Sequence, residues 1–242
     1  MQVLKIIAAF GGSRRVRNNN NVTPKDSLEF LKLQIANERN TDPGCKLDVL
    51  VVNNDAGIED YNTYIQSINN LPVHSGKIRI YTRENLGGSF GAFSQGYDYL
   101  GKDYDYVLFC EDDILIYESE YMKPILELFE TDSTIGFVPL SPLSYTHPVH
   151  CGGGFGVGSR SVLQQVCKKF GRLPFVAQNS YDAFEQSEIG FTSCITELGY
   201  SLTPVEAYSS LAENYIKHTS QNIPHFVTEV NLSKKFIYKV GN

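Results

Sequence analysis

The 242-residue sequence has no tryptophan and two methionines, so any aromatic platform for a sugar or a base falls to its 15 tyrosines and 14 phenylalanines. Most of those rings are expected in the core and on half-buried strands. The five cysteines, Cys45, Cys110, Cys151, Cys167 and Cys194, are odd in number and widely spaced. With no Cys-x-x-Cys pair, a zinc site of the usual spacing is excluded. Cys110 sits in an apolar run and reads as a small buried hydrophobe. Basic excess is also missing. The net charge is -6, and beyond Arg14, Arg15 and Arg17 no basic cluster offers itself to a phosphate backbone, so nucleic acid is not expected as a partner. No apolar run is long enough to span a bilayer. The stretch Met1 to Phe10 lacks the charged flank and cleavage region of a signal peptide. These absences lead us to expect a soluble, reduced, cytoplasmic protein without an integral membrane segment. Peripheral membrane contact stays open.

What is present is an alternation of two periodicities. Val3 to Phe10, Leu47 to Asn53, Lys77 to Tyr81 and Tyr104 to Cys110 are short, β-branched or aromatic, and end in polar or glycine-rich residues. Between them, Thr23 to Asn37 opens Thr-Pro-Lys-Asp and places Leu28, Leu31 and Ile35 on one helical face. Gly57 to Asn70 and Ser89 to Leu100 repeat the helical spacing. The pattern predicts an α/β fold with a mostly parallel sheet and helices on both faces. Further on, Tyr121 to Phe129, Ser161 to Phe170 and Ser187 to Leu198 read as helices, the last two stopped by Gly171 and Gly199. Ile135 to Leu140, Phe155 to Val157 and Leu202 to Ala207 read as strands. The tail from Asn214 reads as a flap, an edge strand or an interaction segment. No repeat or linker divides the chain, so one domain is expected over 1–242.

The chemistry concentrates at Glu111-Asp112-Asp113, where a buried strand ends in adjacent carboxylates. Strand alternation predicts Glu111 and Asp113 on one side. Ligands of open α/β sheets bind at the carboxyl ends of strands. Carboxylates this close repel unless a cation offsets them, and a hard ion such as Mn²⁺ or Mg²⁺ suits oxygen ligands. The plain alternative is a solvated acidic turn. Upstream, Asn85-Leu86-Gly87-Gly88-Ser89 opens a helix, and its glycines allow close approach of a ligand to the backbone. No Gly-Lys-Ser/Thr follows, which excludes a Walker loop, and Phe10-Gly11-Gly12-Ser13 lacks the third glycine of a dinucleotide fingerprint.

In order along the chain, Val51-Val52-Asn53-Asn54-Asp55-Ala56-Gly57, Asn85-Leu86-Gly87-Gly88, Glu111-Asp112-Asp113, Cys151-Gly152-Gly153-Gly154-Phe155 running to Arg160-Ser161, and a helix from Ser187-Glu188 to Gly199-Tyr200 resemble the motifs of GT-A glycosyltransferases, especially family 2. The likeness spans about residues 3–205. It departs from the family pattern in three places: Glu111 replaces an aspartate, amides stand in the nucleoside turn, and the acidic pair is reduced to Ser187-Glu188.

The resemblance implies a GT-A domain with a nucleotide-sugar-binding half at 1–113, an acceptor-binding half at 114–210 and a tail at 211–242. It implies a metal-dependent inverting transfer from a UDP-, GDP- or dTDP-linked sugar to a glycan, glycoprotein or lipid-linked acceptor. Asp113, with Glu111 and a late His218, would hold the metal. Phe10, Gly11, Asn53, Asp55, Arg83, Asn85, Gly87, Gly88, Glu111 and Asp112 would line the donor. Glu188 would be the general base, with Glu185, one turn away, as its rival. A sugar-1-phosphate nucleotidyltransferase and a non-catalytic glycan-binding paralogue are the alternative readings.

Overall fold

A computed structural model describes residues 1–15, 21–141, 143–144, 149–176, 185–204, 228–231 and 236–239. The main elements are β1 (Gln2–Phe10), α1 (Pro24–Asn40), β2 (Lys46–Asp55), α2 (Glu59–Ser67), β3 (Ile78–Glu84), α3 (Gly88–Tyr99), β4 (Tyr106–Glu111), α4 (Lys123–Thr131), β5 (Ile135–Pro139), β6 (Gly156–Ser159), α5 (Arg160–Phe170), α6 (Gly190–Thr196) and β7 (Ser201–Leu202). The strands form one seven-stranded sheet in the order β7-β5-β6-β4-β1-β2-β3. Pairing is parallel except where β6 runs antiparallel between β4 and β5.

Alternation along β1 explains the layers. Val3, Ile7 and Ala9 face one cluster, which Leu31 and Ile35 of α1, Tyr61 and Ile65 of α2 and Ile125 of α4 complete. Leu4, Ile6 and Ala8 face the other, completed by Phe93 and Tyr97 of α3, Leu163 and Val166 of α5 and Phe191 of α6. The expected helices on both faces are present, because each crossover returns a helix to the sheet. On the second face Phe191 meets Phe90, Phe93, Phe109 and Phe137, with ring centroids 5.0–6.2 Å apart. Lys5 interrupts the apolar run of β1. It is wholly buried and paired with Glu38 of α1, which satisfies a charge the core could not otherwise hold.

Local sequence sets the ends of several elements. Thr23 caps α1 through a reciprocal box with Asp26, whose backbone N–H donates to Thr23 Oγ1 at 3.3 Å while the Thr23 N–H donates to Asp26 Oδ2 at 2.9 Å. Gly171 ends α5 in the left-handed conformation, φ 84°. Other ends are set by pairing. β3 continues past Tyr81 to Glu84, since Arg83 and Glu84 still lie opposite Asn54 and Asp55 of β2. The tail supplies strand: Thr228–Asn231 pairs parallel with Ile114–Ile116, directly after the acidic turn, and antiparallel with Phe236–Lys239. Of the strand expected at Leu202 to Ala207, Ser201–Leu202 is observed and 205–207 lie outside the described residues. Among the described residues no helix is long and apolar enough to cross a membrane.

Candidate active site

The carboxyl ends of β1, β2, β3 and β4 lie side by side, and Phe10, Asn53, Asp55, Arg83 and Glu111 lie at or next to them. At the end of β2, the Asn53 amide N–H donates to Asn62 Oδ1 at 3.0 Å, and the Asn62 amide N–H donates to Asp55 Oδ1 at 3.0 Å. The Gly57 N–H donates to the same Asp55 oxygen at 2.8 Å. The Asn62 bond, then the Gly57 bond, hold the Asp55 carboxyl below its ordinary range. Asp55 is exposed and ionised, a ready acceptor for N–H or hydroxyl groups. The Phe10 ring occupies the space above Gly12, beside Ala56 of the same turn. Gly11 has a packing role, since a Cβ there would lie 2.4 Å from the Tyr61 ring.

Arg83 is 6% exposed and spends its guanidinium on the protein. Its Nη1 donates to Asn54 Oδ1, its Nε to Gln95 Oε1 at 2.9 Å and its Nη2 to the Leu86 carbonyl at 2.6 Å. Burial pulls its pKa below the usual arginine value. Arg83, expected to line the donor, thus clamps the end of β2, the turn before α3 and α3 itself. Above this clamp Asn85 leads into Gly87 and Gly88, both left-handed at φ 74° and 54°. The two differ in surroundings. A Cβ on Gly87 would meet the Phe175 ring at 2.4 Å and the Val176 carbonyl at 2.7 Å, whereas nothing lies within 4 Å of one on Gly88. Gly88 is the glycine that borders open space.

The three acids do three different things. The ladder between β1 and β4 stops at Ala8 opposite Glu111, and Asp112 and Asp113 lie in a turn. Alternation therefore does not carry through to Asp113. Asp112, 0% exposed, turns inward and its Oδ2 accepts the Phe10 N–H at 3.0 Å, extending the strand contact by a side chain. Glu111 accepts a hydrogen bond from Ser89 Oγ in the first turn of α3. Asp113 is half-buried and near enough to help raise the Cys110 thiol, which burial first of all pushes up to about 12. Among the described residues no hydrogen bond or ion pair engages the Asp113 carboxylate, and no group of three or more His, Cys, Asp and Glu side chains is gathered for a metal. His218 lies outside the described residues.

The other wall is built by a glycine turn and a helix start. β6 runs antiparallel to β4 with Gly156 opposite Phe109, so the turn Gly152–Gly154 ahead of it falls beside the end of β4. Gly153 and Gly154 are left-handed, and Gly154 leaves room for Phe90 and Phe191. The Gly153 N–H donates to Glu188 Oε1 at 2.9 Å, and Glu188 is 9% exposed. Glu188 belongs to a π-turn, Glu185–Ile189, where a regular α-helix from Ser187 was expected. The wider turn accompanies two side-chain anchors, Glu188 on Gly153 and Ser187 Oγ on the Val176 N–H at 3.0 Å. The Glu185 side chain lies outside the described residues. Asn62 and Phe175 went unread in the sequence, and Ser89 was read only as part of a helix start. Of these, Ser89 had a signal, its place directly after two glycines at a helix start.

Neither a protein-family model nor a curated protein sequence matches the chain. Among solved structures it is similar to CMP:2-keto-3-deoxy-manno-octonic acid synthetase complexed with CTP. The TM-score is 0.50 and the identity 13%, over 84% of this chain and 89% of that one. An active-site mutant of LgtC aligns at a TM-score of 0.41 and 13% identity, over 91% of this chain and 80% of that one, and adds no weight. The chain has a GT-A-like mixed α/β fold.

Proposed function

We propose that this protein is a metal-dependent inverting glycosyltransferase, taking a sugar from a nucleotide-diphosphate donor to a glycan, glycoprotein or lipid-linked acceptor. The observation that carries the reading is the flanking of one strand end by two kinds of acid. The turn Glu111 to Asp113 closes β4, and Glu188 is fixed by Gly153, in the turn that leads into the strand beside it. In this reading Phe10 and the Asn53–Asn62–Asp55 chain receive the nucleoside. Gly88 and the first turn of α3 face the diphosphate, where a helix N-terminus favours negative charge.

Asp113 fits a hard divalent ion, Mn²⁺ or Mg²⁺. Such ions are commonly held by one or two carboxylates with the remaining positions filled by phosphate oxygens and water, so a three-acid cage is not required. When bound, the ion would neutralise charge on the leaving diphosphate. Glu188 receives the proton of the acceptor hydroxyl as that oxygen attacks the anomeric carbon. The Gly153 N–H holds one carboxylate oxygen and so fixes the direction from which the proton is taken. The nucleotidyltransferase alternative calls for a phosphate-cradling loop after β1. Tyr61 and Phe10 fill the space beside Gly11 and Gly12, which argues against a cradle there.

Thermal stabilisation by nucleotide-sugars with Mn²⁺ identifies the donor, since a ligand of the folded state raises its stability. With that donor, Asp113→Ala is expected to abolish both transfer and the metal-dependent part of the stabilisation. Glu188→Gln is expected to keep donor binding and lower kcat by about 10²–10⁴-fold. Normal transfer by either variant removes the role assigned to it. Pyrophosphate release from a nucleoside triphosphate would instead favour the nucleotidyltransferase.

A further inference from the structure

The segment Pro174–Val176 lies between the donor turn and the start of the base-bearing helix, touching both. On one side, Gly87 has no room for a side chain because the Phe175 ring and the Val176 carbonyl occupy that space. On the other, Pro174 lies 3.7 Å from where a Cβ of Gly190 would sit, and the Val176 N–H donates to Ser187 Oγ at 3.0 Å. Ser187 is 6% exposed, so this bond forms away from bulk water, where losing the acceptor is expensive. Arg172 stiffens the bridge from outside, its guanidinium carbon 4.1 Å from the centroid of the Phe175 ring. The next residue after Ser187 is Glu188, anchored the other way on Gly153. The π-turn therefore presents adjacent side chains to two different partners, one leading to the donor turn and one to the glycine turn beside β4.

Building on the proposed glycosyltransferase reading, we infer that Ser187 is a positioning residue that latches the Pro174–Val176 bridge to the base helix and so sets the distance between the donor turn at Gly87 and the carboxylate of Glu188. The hydroxyl is buried against the Val176 N–H. It acts by holding the backbone of Val176, whose neighbour Phe175 presses on Gly87, while its own backbone carries Glu188. A bridge fixed only at Gly87 would let the carboxylate drift relative to the sugar. Misplacement of reacting groups by about 1 Å costs up to about 10²-fold in rate.

The test combines hydrogen exchange with kinetics in two backgrounds. Ser187→Ala removes the acceptor and adds no bulk. The Val176 amide is expected to exchange faster in this variant, a readout that needs no turnover. In the otherwise wild-type protein, kcat is expected to fall by about tenfold or more, within the range misplacement produces. In the Glu188→Gln background, the same change should alter the residual rate by less than about twofold, because the group it positions has gone. Unchanged exchange at Val176 overturns the latch. Equal losses in both backgrounds, or no loss in the first, overturn its action through Glu188. Faster exchange in a protein that transfers no sugar from any nucleotide-sugar places the failure in the functional reading, and the positioning role falls with it.

Discussion

Gly87 and Gly88 are neighbours with the same backbone handedness and opposite surroundings. An L-residue in the left-handed region costs about 1–2 kcal/mol, and both positions would incur that on substitution by alanine. Only Gly87→Ala would also drive a methyl into Phe175 and the Val176 carbonyl. Urea unfolding is expected to show Gly87→Ala as the more destabilised of the two, with the difference reporting the bridge contact alone. Gly88→Ala should chiefly weaken the proposed nucleotide binding, since the space it fills is the open one. The same contrast marks how far single residues were legible. The sequence supports the presence of a glycine turn and an acidic turn, because both residue types are unusual where strand and helix meet. It does not reveal that Asp112 spends its carboxylate on the Phe10 N–H or that Arg83 is a clamp. The partner of Asp112 stands 102 positions away along the chain, and only the parallel pairing of β1 with β4 brings the two together.

At the scale of elements, local chemistry was the better guide. Thr23-Pro-Lys-Asp announced the start of α1, and the structure forms the full capping box. Thr23→Ala is expected to cost about 1 kcal/mol, the usual worth of such a cap, measurable as a shift of the denaturant midpoint with unchanged slope. Where ends depend on a neighbour, the sequence runs short. β3 extends past Tyr81 because β2 still offers partners, and the helix expected from Ser187 opens as a π-turn because its side chains are held by Gly153 and Val176. Neither cause is visible in a periodicity of apolar residues.

For the whole molecule, buried protonated groups set a limit on the alkaline side. Burial pushes the thiols of Cys110, Cys151 and Cys194 up to about 12 and those of Cys45 and Cys167 to about 11. Burial likewise raises the phenols of Tyr97, Tyr104 and Tyr121. Each is an acid whose folded pKa exceeds its unfolded one. The unfolded chain releases these protons first, and stability falls as pH climbs through the interval between the two values. Lys5 acts in the same direction. Burial alone would lower its pKa, but Glu38 and then Cys110 outweigh that and raise it. Its contribution is intact below the ordinary lysine value and is lost as pH rises through the raised one. Unfolding free energy should therefore hold steady near neutrality and decline from about pH 8, as unfolded thiols ionise around their ordinary value of about 8.5. Denaturant curves at pH 8, 9 and 10 check this, and a flat profile would contradict it.

The phenylalanine cluster bears on motion. Phe90 and Phe93 belong to the helix that follows Gly87, Phe109 to the strand that ends in the acids, Phe137 to β5 and Phe191 to the helix behind Glu188. Phe191 meets three of the four other rings edge-on, and the five make a keel shared by α3, β4, β5 and α6. Such packing is bistable at best and resists gradual bending. Closure over a substrate by a swing of one half against the other would have to break the keel. The scaffold should thus keep its radius of gyration when the proposed nucleotide-sugar is added, an unmoving hull beneath its cargo.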